Sequence, residues 1–567
     1  MTYDLVIRNG LIVDGSGMPA YRADVGIESG RITAIAGRIR SPARQTLDAE
    51  GHVVAPGFVD GHTHMDAQVF WDPLGTCACY HGVTTVVMGN CGFTLAPCRE
   101  ADADLVFRNL ERSEDISREA LLAGIKWDWE SFPEYLDAVD RLPKGINYSG
   151  YVGHSALRTH VMGARAFTEE ATEAELQVMC RHVQDALRAG AMGLSTSRSI
   201  NHNTSDDRPV ASRVAGWSEV EALVRAMGDL DAGIFEIAGR PPARDRDASA
   251  RWYETLGALS AETGRPITFG VSATRAAPGA WRQTFERVDR ACRNGARMWI
   301  QVHSGPASIL LSFETQMPFD RREVWRELRS RPLEDQAAAL RDPDLRRRLI
   351  EIARQPWDGA DIVGAEARPP EWEWLFVMDT PTGPNRSVAE VARERGIDPV
   401  EAMIDLALEG DLKRFFSQII LNEDDAETLE MMRHPRSVTT FSDAGAHVSQ
   451  MIESLQTTVL SHWVRDRQAF TLEEGVRLLT YDVATRWGFH DRGLVREGLI
   501  ADLVVFDPDT VADRMPEVVR DLPGGAKRLH QSADGMKATI VNGVVVLLDN
   551  EPTGALPGRL LRARIPN

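Results

Sequence analysis

His62 and His64, in the segment GHTHMD, are the residues of this 567-residue chain whose type and spacing point most directly to chemistry. They follow an apolar run, VVAPGFVD, that reads as a strand. Side chains at i and i+2 of a strand share a face, so both imidazoles can bind one divalent ion. A metal held there lowers the pKa of water towards about 7, which makes hydrolysis feasible at neutral pH. Two unrelated histidines are the alternative, but the strand before them gives the pair a common direction.

Downstream, apolar runs of strand length alternate with helical stretches such as TEEATEAELQVMCRHVQDALRAG and SEVEALVRAMGDL. That rhythm indicates βα units and a parallel sheet. Eight runs qualify: VVAPGFVDGHTH, TTVVMGNCG, INYSGYVGH, AMGLSTSR, GIFEIAG, PITFGVS, RMWIQVHS and SVTTFSDAG. The expected fold is α/β, a (β/α)8 TIM-like barrel over residues 56–487. The runs end on His62 and His64, Cys91, His154, Arg198, Glu236, Ser272, His303 and Asp443. Strand C-termini meet at one barrel mouth, so these side chains would converge there. Residues 1–55 and 488–567 carry short alternating strands punctuated by Gly and Asp. Neither end alone has enough strands for a stable unit. The two termini are therefore expected to build one small β-sandwich domain together. Residues 307–435 are too long for a simple βα unit and carry a charged helix-prone run and the patch EWEWLFVM. They read as an inserted helical segment over the mouth, either lid-like or a solvated elaboration without a catalytic role.

In combination, APGFVDGHTHMD, FSDAG and GLIADLVVFD resemble the amidohydrolase superfamily. NCGFTLAP, YVGHSALR and GAMGLST are similar to its N-acyl-D-amino-acid deacylase (D-aminoacylase) branch, and the resemblance spans nearly the whole chain. It implies a metal-dependent hydrolase that cleaves the amide of an N-acyl-amino acid or a related small amide, using one or two divalent ions, zinc first. It implies that His62 and His64 bind zinc, that Cys91 is a further ligand, and that Asp443 is both ligand and general base. Asp443 would then take a proton from water and deliver it to the leaving nitrogen. A helix N-cap is the structural alternative for Asp443, and a small buried hydrophobe that for Cys91. The carboxylated lysine that bridges two metals in other superfamily members has no counterpart: none of Lys126, Lys144, Lys413, Lys527 and Lys537 ends a strand run.

The sequence also departs from that branch. Where the branch has histidines after strands five and six, this chain offers Glu236 and Ser272. Glu236 could ligate through oxygen, touch substrate, act as a base or pair with Arg240; serine is a poor zinc ligand. A different substrate on the same scaffold, such as a cyclic amide or lactone or a decarboxylation, stays open, as does a non-catalytic binding homologue. His154 is a catalytic candidate through transition-state or substrate contact, with a structural hydrogen bond as its alternative. His303 could replace a ligand, contact substrate or sit in the core, and His447 is a weaker case of the same kind. Arg198, Arg240 and Arg275 follow strands four, five and six, and one guanidinium at the mouth could hold a carboxylate bidentately.

A net charge of −19 argues against nucleic acid, because phosphate binding needs a basic surface. The expected partner is a small-molecule substrate, with neither nucleic acid nor membrane; a homo-oligomer is compatible with the sequence. MTYDLVIRNG lacks the features of a signal peptide, and no run approaches the roughly 18 apolar residues of a membrane span. Cys77, Cys79, Cys91, Cys98, Cys180 and Cys292 form no CxxC pair and read as free thiols. The expected location is cytoplasmic.

Overall fold

The computed structural model describes residues 2–239, 246–356, 368–452 and 454–565. Its centre is a (β/α)8 barrel. The strands are Phe58–Asp60, Val83–Met88, Asn147–Gly150 continued by Val152–Gly153, Gly193–Ser197, Ile234–Ala238, Ile267–Gly270, Met298–Val302 and Ser437–Thr439. Neighbours in this order pair in parallel. Strand eight returns to strand one through a parallel bridge between Thr63 and Ala444 and a 2.7 Å bond from His64 N to Ala444 O. Every residue of VTTVVM and MWIQV is buried. Such unbroken runs suit parallel strands covered on both faces. All eight expected strands are present, but the first is split: of VVAPGFVD only Phe58–Asp60 joins the barrel, and Val53–Pro56 pairs in the sheet of the termini.

The helices show why their sequences fold locally. Glu173–Ala189 starts with a capping box between Thr172 and Glu175, buries Met179, Val183, Ala186 and Leu187, and stops at Gly190 with φ 106°. Polar caps satisfy the free N–H groups at the start, and the apolar spacing of one helix face covers the barrel.

A nine-stranded sheet holds strands from both ends of the chain. Val53–Pro56 pairs with Tyr3–Ile12 on one side and, antiparallel, with Leu503–Phe506 on the other. Leu5, Ile7, Val25, Val54, Leu503, Val505 and Ile540 share its buried apolar cluster. Gly57 N then bonds Asp502 O at 2.8 Å, and the chain passes directly into barrel strand one. The β domain therefore fixes the start of the segment that carries His62 and His64.

The long insertion is more than helical. Ala307–Leu311, Phe416–Leu421 and Leu375–Val377 form an antiparallel sheet, over which helices bury a separate core around Trp325, Leu349, Met403 and Phe416. The sequence reading missed this sheet because its strands are short and far apart along the chain. Asn422 grips the loop after strand six, its N bonding Ala273 O at 3.0 Å and its Oδ1 accepting from Ala273 N at 2.8 Å. Leu310 N bonds Gln450 O, after strand eight, at 2.7 Å. The insertion thus docks on loops of the barrel mouth.

Candidate metal centre

Beyond Asp60 the chain runs GHTH across the end of the barrel. Gly61 N donates to Thr440 Oγ1 at 2.7 Å, and His62 N to Asp60 Oδ1 at 3.1 Å. A Cβ at Gly61 would lie 2.4 Å from the Trp487 ring, so only glycine lets this segment lie flat there. His62 Nε2 then stands 3.5 Å from Cys91 Sγ and 3.3 Å from Asp443 Oδ1. His64 Nε2 lies 3.5 Å from the same oxygen. Donors of His62, His64 and Cys91 all fall within 4.8 Å of one another.

Cys91 and Asp443 reach this point on left-handed backbone. Cys91 has φ 57° and ψ 14°, next to Gly92 at φ 82°; Asp443 also has φ 57°. Such conformations are uncommon for residues with a Cβ and cluster at functional sites. Cys91 N donates to Glu236 Oε2 at 2.7 Å, which anchors the turn. Gly445 closes the other turn at φ 87°, where a Cβ would sit 2.7 Å from His64 O. Ala446 N bonds Asp443 O at 2.9 Å, and no helix starts at Asp443, so the N-cap alternative is not realised.

The donor set fits a divalent ion. An ion held at about 2.0–2.3 Å places tetrahedral donors roughly 3.3–3.7 Å apart, which matches the three measured separations. Asp443 Oδ1, His64 Nδ1 and Glu236 Oε1 are buried without a well-formed hydrogen bond, an arrangement that is costly without a cation. Electrostatics agree. Burial pushes the carboxyls of Asp66 to about 7 and of Glu114 and Glu236 to about 8, and raises the Cys91 thiol well above its ordinary value. Burial brings His62 down to about 4. For His64, burial lowers the pKa, but Glu114 and Asp443 outweigh it and raise it to about 9. Asp443 is also pushed up by burial, yet the two histidines hold it below the usual carboxylate range. A cation would reverse the penalty on these buried anions.

Gln301 was not foreseen. His62 Nδ1 donates to Gln301 Oε1 at 2.6 Å, and Gln301 Nε2 donates to Thr268 Oγ1 at 3.1 Å. This pairing leaves the Nε2 lone pair of His62 available to a metal ion. An inward glutamine on strand seven, WIQVHS, was the available signal. Loss of such a partner typically costs 10–100-fold in metal affinity. Gln301→Leu should therefore weaken zinc binding by about that factor in a chelator competition, with the fold retained; unchanged affinity would rule out the role. Asp66 and Glu114 were missed as well. Asp66 Oδ2 accepts from Gly89 N at 2.8 Å, and Glu114 Oε2 lies 3.6 Å from His64 Nδ1. Asp66 had a signal in GHTHMD itself, whereas Glu114 sits among ordinary charges in ERSED.

The other candidates lie elsewhere. Glu236 stands beside the cluster, holding Cys91 through its backbone N–H. His154 is fully buried between Thr196 Oγ1 and Glu219 Oε1, both at 2.8 Å from its ring nitrogens. Arg158, on the same helix face, bonds both oxygens of Glu219 at 2.6 and 2.5 Å. Arg198 bonds the carbonyls of Arg213, Ala215 and Gly216. Arg275 is held by Glu423 and Glu371 and lies over the Trp374 ring. Arg240 lies outside the described residues. His303 turns Nδ1 to Gly305 N at 3.1 Å and is half-buried, with Asp443 among the charges acting on it. His202, in the loop after strand four, bonds Ser197 Oγ at 2.7 Å and stacks near Phe93, which lies beside His64.

A barrel that gathers two histidines, a thiol and an aspartate at the C-terminal ends of strands one, two and eight has the make-up of a metal-dependent hydrolase. The amidohydrolase family model matches residues 45–547. The chain belongs to the amidohydrolase family. It is 28% identical to the D-aminoacylase of Alcaligenes xylosoxydans xylosoxydans over 99% of this chain and 97% of that one. A solved N-acyl-D-glutamate deacylase from Bordetella bronchiseptica, complexed with zinc and a phosphonate inhibitor, superposes with TM-score 0.65. It has 27% identity and covers 99% of this chain and 100% of its own. A solved D-aminoacylase described with a binuclear metal centre gives TM-score 0.65 and 25% identity, again over 99% and 100%.

Proposed function

We propose that this chain hydrolyses the amide of N-acyl-amino acids, with the D series as the expected class, and that zinc is its metal. The observation that carries the reading is the convergence of His62, His64, Cys91 and Asp443 on one point. These four would hold the ion. When bound, it would polarise the substrate carbonyl and bring the pKa of water towards about 7. Asp443 is the donor that opens to solvent, its side chain 23% exposed against 1% and 4% for the two histidines. It is therefore placed to take a proton from the attacking water and pass it to the amine nitrogen as the C–N bond breaks. Gln301 orients His62, and Glu236 fixes the Cys91 turn. Of the candidate substrate contacts, His303 is the one we favour: Arg198 and Arg275 are engaged by protein groups, whereas His303 keeps Nε2 free of hydrogen bonds to described residues. His154 is read as a structural clamp between strand four and Glu219.

Among the described residues no helix is long and apolar enough to cross a membrane, and none of the six cysteines is joined in a disulfide. Free thiols suit a reducing compartment, so we read the location as cytoplasmic.

The test is a screen of N-acyl-D- and N-acyl-L-amino acids on zinc-loaded protein. Turnover of a D substrate that disappears on chelation and returns with zinc is expected. Metal bound but none of these amides turned over would move the reading to another substrate, such as a cyclic amide or lactone. Protein that takes up no metal would support a binding homologue instead.

A further inference from the structure

We infer that the site takes a single metal ion, because the ring of Phe441 fills the place a second ion would need. The inference rests on the metal-dependent reading above and concerns how many ions that site accepts. Two ions that share ligands sit about 3.5–4 Å apart, so a second would need donors of its own. In the deacylase branch that this chain resembles, those donors come from strands five and six. Glu236 and Thr268 are register partners on them. Glu236 gives Oε2 to Cys91 N and has only Oε1 left over, a single oxygen that cannot hold an ion alone, and Thr268 Oγ1 accepts from Gln301. Two residues on, facing the same way, stand Ala238 and Gly270, which have no donor to offer. Ser272 carries a hydroxyl, a poor zinc ligand.

The space is also taken. A Cβ on Gly270 would lie 2.5 Å from Phe441 Cε1 and 3.1 Å from its Cδ1 and Cζ. The same ring packs on His62, with centroids 4.3 Å apart at 48°. Phe441 is thus wedged between a metal-ligating histidine and the end of strand six. It reaches there on strained backbone, φ 94°, next to Thr440, whose Oγ1 donates to Asp60 Oδ1 at 2.9 Å. Gly270 and Phe441 complement each other: the first lacks the side chain whose volume the second occupies.

The experiment counts metal. Full-length protein, stripped with a chelator and loaded with excess zinc, is freed of loosely held ion and its zinc measured per chain by elemental analysis. One equivalent is expected for wild type. The double variant Phe441→Ala/Gly270→His removes the ring and supplies an imidazole, and should bind two. Gly270 has no positive φ that would bar a side chain once the ring is gone. Two equivalents in wild type would overturn this inference alone. One equivalent in both proteins, with matching circular dichroism, would overturn the assignment of the limit to Phe441. No zinc in wild type would overturn the metal-dependent reading and this inference with it.

Discussion

Asp443→Asn is expected to lower kcat by about 100- to 10,000-fold, the range typical of removing a general acid–base group. Asparagine matches aspartate in shape, so the turn at φ 57° and the bond from Ala446 N to the backbone oxygen should survive. What is lost is the charge that faces two imidazoles at 3.3 and 3.5 Å and the only donor of the set with appreciable exposure. His62, His64 and Cys91 remain, so zinc content should fall less than turnover does. Measuring kcat and zinc per chain together separates the two losses. Turnover equal to wild type, with metal bound, would exclude Asp443 as the proton carrier.

The second large effect concerns stability. Arg158→Met should lower the free energy of unfolding by about 3–5 kcal/mol, the usual result of breaking a buried ion pair from one side. Arg158 and His154 lie one turn apart on helix His154–Met162 and both bond Glu219 on helix Trp217–Gly228, so the motif GHSALR clamps two helices to strand four. Removing both charges, in Arg158→Met/Glu219→Met, should recover part of the loss, since no lone buried charge is left behind. A pH series gives an independent check. Burial raises the Glu219 pKa, but His154 and Arg158 outweigh it and hold the group at about 2 instead of 4.5. A depressed carboxyl contributes stability above its unfolded pKa and loses it as pH falls through the folded one. The stability gap between wild type and Glu219→Gln should therefore be full above about pH 4.5 and shrink towards pH 2; a gap independent of pH would exclude the mechanism. These variants also decide the part played by His154. A structural clamp leaves kcat of the folded protein unchanged in Arg158→Met, whereas a catalytic His154 would shift kcat while KM stays put.

The barrel was legible because parallel strands buried on both faces are written as short apolar runs, and several of these runs end in a turn that carries a histidine, cysteine or aspartate. The two-residue spacing of His62 and His64 is likewise local. It holds although VVAPGFVD divides into Val53–Pro56 and Phe58–Asp60, with both histidines just past the second piece. The insertion was only half legible. Its helices show amphipathic spacing, but Phe416–Leu421 pairs with Ala307–Leu311 across the whole stretch 312–415, and no local pattern announces such a pairing.

From residue type and spacing alone came a barrel with a two-histidine strand end, and from the family likeness its cysteine and aspartate. Which polar residues join that pair, and which merely hold the fold, was decided by tertiary structure. Gln301 meets His62 from 239 positions away, and His154, a strand-end histidine like the others, turns instead into a clamp with Glu219. The physical reason is that a strand's period fixes which face a side chain takes, while its partner depends on the register of distant strands and on the loops packed above them. Phe441 shows this most plainly. Its place over Gly270 and against His62 is invisible in the string FSDAG and follows only from how strand eight closes the barrel.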